Sequence, residues 1–117
     1  MEKVSLVDFE SYYEKIDSHT FVLDVLEVGN KLCETSEIME LRFVRGENKN
    51  LGYRKQKGVS IMQILECGVE HLKSVNVGEL HSQDTDKAIE KLQECIMWLQ
   101  KRAIDREKRG VLYTHNK

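Results

Sequence analysis

The last third of the chain constrains the fold most. Between Thr85 and Arg109 the residues Ala88, Ile89, Leu92, Ile96, Leu99 and Ala103 return every three or four positions, the spacing of one face of an α-helix. A strand would scatter them over two faces. Thr85 reads as the N-cap, and Gly110 as the stop, because glycine tolerates the left-handed conformation that closes a helix. Met97 and Ile104 lie seven apart off this stripe, with Trp98 beside them. The helix is therefore apolar over more of its circumference than one packing partner needs, and Met97, Trp98 and Ile104 are the expected contacts of a subunit interface. For Trp98 the competing expectation is a partly buried core position.

Upstream, Ser60 is a plausible cap for a second amphipathic helix over 60–75, with Ile61, Ile64, Leu65, Val69 and Leu72 in helical register. Residues 38–46 alternate apolar and charged side chains, and GENKN supplies turn chemistry before LGYRKQKG, so a hairpin is expected over 38–46 and 50–57. TFVLDVLEV, residues 20–28, reads as a strand. Leu6, Phe9, Tyr13 and Ile16 are spaced for a short helix over 5–17, with Ser5 as its cap. These elements sum to an α+β fold: a small antiparallel sheet packed with two or three helices, the C-terminal one long. With 117 residues and no proline, no linker is evident, and a single domain 1–117 is expected.

Composition narrows the function. Eighteen Lys plus Arg stand against twenty Asp plus Glu, which argues against a surface built to coat a nucleic acid polymer, so any anion site is local. No apolar run approaches the roughly 20 residues of a membrane span, and MEKVSLVDFE lacks the pattern of a signal peptide. A soluble cytosolic protein is the expectation. Cys33, Cys67 and Cys95 are odd in number without CxxC spacing, so neither a disulfide framework nor a zinc site is indicated, and Cys67 and Cys95 read as small core residues. Cys67 and His71 are one helical turn apart, but no second such pair exists to complete a metal site. Gly46 and Gly52 flank a lysine-bearing loop without the Gly-Lys-Ser/Thr of a P-loop, and no GxSxG or HExxH is present. Nothing marks an enzyme, a metal or a cofactor.

One feature does suggest a ligand. Arg102, Arg106 and Arg109 fall at i, i+4 and i+7, grouping three guanidinium groups at the end of the long helix. Cations there offset the helix dipole by about 0.3 to 1 kcal/mol, and Asp105 can pair with Arg109 one turn on. Arginine in place of lysine, however, suits planar contact with phosphate or carboxylate. Arg54 and Lys57 form a second cationic group. Tyr53 beside Arg54, and Tyr113 after Arg109, add flat faces for a base.

The run AIEKLQECIMWLQKRAIDREKRGVLYTH resembles a motif of small phage proteins, with Ala-Ile-x-Lys-Leu, Trp-Leu, spaced arginines, Arg-Gly-Val and a terminal Thr-His. It is similar to the Thoeris anti-defence sponges, which capture cyclic ADP-ribose signals, and more distantly to the anti-CBASS sponges for cyclic oligonucleotides. The resemblance spans about residues 38–115, the family-like core, and says little of residues 1–37. It implies a non-enzymatic trap in the cytoplasm of an infected bacterium, a homo-oligomer (dimer or hexamer) binding a cyclic nucleotide messenger at a subunit boundary. It further implies that Arg102, Arg106 and Arg109, with Tyr113, Thr114 and His115, contribute to that site, and that Arg54 and Lys57 close it from the neighbour. Gly110, Val111, Thr114 and His115 match the family's tail; Leu112 and Tyr113 depart from it, and ELHSQDTD lacks the Phe and Arg common before the last helix. The alternative is a protein-interaction module that inhibits a host defence protein directly through the extra apolar helix face.

Overall fold

A computed structural model describes residues 4–6, 9–11, 13–29, 32–47, 49–50, 52, 54–110 and 112. The fold is α+β, with a three-stranded antiparallel sheet and two α-helices. It divides into two compact units, Met1–Val59 and Ser60–Lys117.

The regular structure of the first unit is all β among the described residues. Strands β1 (Val4–Leu6) and β2 (Phe9–Ser11) pair as an antiparallel ribbon. Strands β3 (Tyr13–Lys15), β4 (Thr20–Val28) and β5 (Leu32–Arg42) form the sheet in that order. The strand expected over 20–28 is β4, but the helix expected over 5–17 is absent. Four apolar residues at helical spacing did not outweigh pairing: Tyr13, Glu14 and Lys15 lie opposite Leu23, Val22 and Phe21, and Ile16, which the helix would have buried, is 53% exposed. Asp17 makes the turn that follows, its Oδ1 accepting from the backbone N–H of His19 and of Thr20, both at 2.8 Å.

The expected hairpin also changes partner. The alternation of Met39, Leu41 and Phe43 is real, but β5 pairs with β4, which has six apolar residues in nine and makes a better ladder than LGYRKQKG. Among the described residues, 43–59 contribute two isolated bridges, Phe43 with Val59 and Arg45 with Gln56. Midway along, β4 advances two residues from Asp24 to Leu26 while β5 advances four from Ile38 to Glu34, a bulge where Thr35 Oγ1 donates to the Val25 carbonyl at 2.7 Å. Gly58 lets the returning chain lie against the end of β5. A Cβ there would stand 2.5 Å from the Arg42 carbonyl oxygen and 2.8 Å from the Phe43 carbonyl carbon.

The second unit is helical. Helix α1 (Ile61–Val75) begins at a complete capping box, Ser60 Oγ accepting from the Gln63 N–H at 3.2 Å and Gln63 Oε1 from the Ser60 N–H at 2.8 Å. Its inward line is Met62, Leu65, Val69 and Leu72. Ile61 and Ile64 are 46% and 37% exposed. Cys67, two residues or about 200° from Val69, is exposed and no core residue.

Helix α2 (Gln83–Lys108) packs on α1. Its cap is Ser82, three residues before the expected Thr85: Ser82 Oγ accepts from the Thr85 N–H at 3.0 Å. The turn between the helices is tied down from both sides. Asn76 donates to Asp86 Oδ1 at 2.7 Å and accepts from the Ser82 N–H at 2.9 Å, while His81 Nε2 meets Asp86 Oδ2 at 2.9 Å.

The half-buried residues of α2 are Thr85, Ile89, Leu92, Ile96, Leu99 and Ala103, with buried Arg106 continuing the line. Steps of four and three alternate throughout, the seam of a coiled coil. Ala88 and Cys95 lie off it and are exposed, contrary to their expected places in the stripe and the core. Gly110, at φ 71°, ends the helix as expected. No described helix is long and apolar enough to cross a membrane.

Candidate ligand-binding face

The end of α2 holds most of the predicted cations. Successive helical residues turn by about 100°, so Trp98, Arg102, Asp105 and Arg109, at i, i+4, i+7 and i+11, share one face. Arg102 is exposed. Arg109 occupies the C-cap position with φ −87° and ψ −1°, still close to helical, and its Nε donates to Asp105 Oδ2 at 3.1 Å. That ion pair was legible in the sequence.

Arg106 is different. It follows Ala103 by three residues on the packed seam and is only 7% exposed. The three-arginine cluster therefore splits into two guanidinium groups at the surface, Arg102 and Arg109, and one inside. A buried guanidinium strips poorly from its surroundings to meet a ligand, whereas surface arginines can exchange water or a carboxylate for phosphate.

Trp98 is 54% exposed, and the Lys101 Nζ lies 4.9 Å from its ring centroid, a cation–π contact. The indole is thus neither core nor covered. Met97 and Ile104, 52% and 54% exposed, stand together on a different flank, about 100° round the helix from Trp98. Within the second unit these side chains leave a large apolar area open; among the described residues of the whole chain, Val69 is the only buried hydrophobic one.

Arg54 and Lys57 lie in the first unit and are exposed, on the segment held by the Arg45–Gln56 bridge, where Arg45 Nη2 donates to Gln56 Oε1 at 2.8 Å. Tyr53, Tyr113, Thr114 and His115 lie outside the described residues. The sheet contributes a feature the sequence did not announce, an apolar hollow of about 250 Å³ lined by Tyr13, Phe21, Leu23, Leu41 and Phe43. Cross-strand register collects it: Tyr13, Leu23 and Met39 form one row, and Lys15, Phe21 and Leu41 the next row on that face. Phe21 meets Tyr13 and Phe43 edge-on, with centroids 6.2 and 5.9 Å away.

The signal for Trp98 and Lys101 was present in the sequence as an aromatic and a cation three apart on a helix. It was outweighed there by the habit of tryptophan to sit in cores. Among the described residues, no three His, Cys, Asp or Glu side chains converge as a metal site, and Cys67 and His71 are both exposed on α1.

No protein-family profile matches the chain. Over 60 residues it is 37% identical to a protein of Bacillus phage SBSphiJ7 named Thoeris anti-defense 1, an alignment covering 51% of this chain and 42% of the phage protein. The chain thus spans about two fifths of that relative's length. This is a weak homology, and it supports a link between this chain and the Thoeris anti-defence family.

Proposed function

We propose that the protein is a phage anti-defence factor that captures a cyclic nucleotide immune signal, a cyclic ADP-ribose isomer or a cyclic oligonucleotide, and holds it without degrading it. It acts in the cytoplasm of the infected bacterium. The observation that carries this reading is the exposed pair Arg102 and Arg109 at the end of α2, taken with the similarity to a Thoeris anti-defence protein. Two planar forks suit a diphosphate or phosphodiester, which presents several acceptor oxygens to each guanidinium. A trap that does no chemistry depends on affinity and abundance, so the ligand is best buried between protomers. Self-association through the Met97 and Ile104 flank supplies that boundary. Arg54 and Lys57 of a neighbouring copy, and the tail residues Tyr113, Thr114 and His115, complete the site.

A second reading draws on the same open flank. Exposed Met97 and Ile104 beside Trp98 would equally suit a module that docks on a host defence protein. Native mass spectrometry with cyclic ADP-ribose isomers, cyclic dinucleotides and cyclic trinucleotides separates the two. The trap gains the mass of one of these molecules at micromolar concentration; a docking module gains none.

A further inference from the structure

We infer that Trp98 belongs to the ligand face of α2 and not to its subunit contact: the indole is the platform on which a nucleobase stacks while its phosphates engage Arg102 and Arg109. The inference rests on the cyclic nucleotide reading and assigns that ligand's base a partner.

Geometry comes first. Trp98 shares its face with Arg102 and Arg109, and a rise of about 1.5 Å per residue places their Cα atoms about 6 and 16 Å beyond it along the axis. Long side chains on a helix lean toward its N-terminus, so Arg102 leans toward the indole. A flat face followed by two cations is the order in which a nucleotide presents its base and its phosphates.

Charge then chooses the occupant. Along the face of Trp98 lie Lys91, Lys101, Arg102 and Arg109 with two carboxylates, Glu94, which pairs with Lys91, and Asp105, which pairs with Arg109. Four cations against two carboxylates favour an anion and oppose a second copy of this face, which would bring the same cations together. The Met97 and Ile104 flank shares Lys101 with it, at i+4 from Met97 and i−3 from Ile104, but carries neither arginine, and is the one left for a protomer. Lys101 now rests over the indole at 4.9 Å. Exposed cation–π contacts are weak, so an incoming base can displace the ammonium toward the phosphates.

Trp98 is the sole tryptophan of the chain, which makes its emission a direct reporter. Wild-type protein is titrated with cyclic ADP-ribose and with cyclic di-AMP, followed in parallel by calorimetry and tryptophan fluorescence, and the titrations are repeated by calorimetry on Trp98→Leu and Trp98→Phe. The expected result is quenching that follows the binding isotherm, a loss of about 5- to 150-fold in affinity for Trp98→Leu, and most of the affinity kept by Trp98→Phe. Binding heat without a change in emission overturns the inference and leaves the trap standing. So does an emission shift that follows dilution of the protein and ignores the ligand, which would return Trp98 to the subunit contact. If neither ligand gives heat or quenching while other cyclic nucleotides also fail by native mass spectrometry, the functional reading fails and takes this assignment with it.

Discussion

Replacing Arg109 separates a helix stop from a phosphate clamp. Its contribution to stability is bounded by two observations: the Nε to Asp105 Oδ2 contact of 3.1 Å is an i, i+4 pair, and the two side chains are 48% and 65% exposed. Pairs of this kind contribute about 0.3 to 0.5 kcal/mol, with solvent screening the rest. The dipole term at a helix end adds about 0.3 to 1 kcal/mol. Arg109→Ala should therefore cost at most about 1.5 kcal/mol, the sum of these upper values. A hydrogen bond to a charged partner contributes about 1.5 to 3 kcal/mol, so loss of the clamp should weaken ligand binding by about 10- to 150-fold. Arg109→Lys sharpens the contrast, because lysine keeps the charge that offsets the dipole and loses the fork. Urea unfolding and isothermal calorimetry with cyclic ADP-ribose on the three proteins give both numbers. Equal affinity across wild type, Ala and Lys variants would show that the basic end is punctuation.

Met97→Glu or Ile104→Glu should weaken self-association, read as a lower sedimenting mass at micromolar concentration; wild type that already sediments as a monomer would contradict the interface. Ser60→Ala and Ser82→Ala each remove the side-chain acceptor of a helix cap and should each cost about 0.5 to 2 kcal/mol by urea unfolding. Gly58→Ala forces a Cβ to within 2.5 Å of a backbone oxygen and should cost about 1 to 3 kcal/mol, measured the same way. The Asp17 carboxyl is held below its ordinary value of 3.8, first by the His19 amide and further by Thr20 and Arg45. Its folded value lies below its unfolded one, so its stabilisation is present above pH 3.8 and is lost as pH falls through the lower folded value. Asp17→Asn should reduce the pH dependence of stability in that acid window.

The helical half was legible because its signals were local. Val69 and the α2 seam follow from 3.6-residue spacing, Ser60 from its residue type just before the apolar run, and Gly110 from the end of the apolar run. Ser82 escaped because Thr85 is an equally good capping residue by type, and only the fold decides which N–H groups remain unsatisfied. The β half turned on pairing, which spacing does not encode. Tyr13 fits a helical stripe with Leu6 and Phe9, and it fits a strand opposite Leu23; β4 supplied the edge that settled the matter. The alternation before Arg42 identified β5, but its partner lay upstream in β4, and alternation alone does not say which strand a strand pairs with. At the site, spacing placed the three arginines on neighbouring sides of the helix end. It could not show that the packed seam runs close enough to Arg106 to bury it while sparing Arg102, since a spacing of four places both within about 40° of each other.

The central claim, capture without degradation, is tested most directly by recovery of the ligand. Protein is incubated with cyclic ADP-ribose isomers until the free concentration falls, the complex is passed through a desalting column, and the protein is denatured by heat. Mass spectrometry of the released fraction should return the cyclic molecule intact and in proportion to the protein loaded. Recovery of a linear or cleaved product would contradict the account, as would a protein fraction that carries no ligand through the column for any cyclic nucleotide offered.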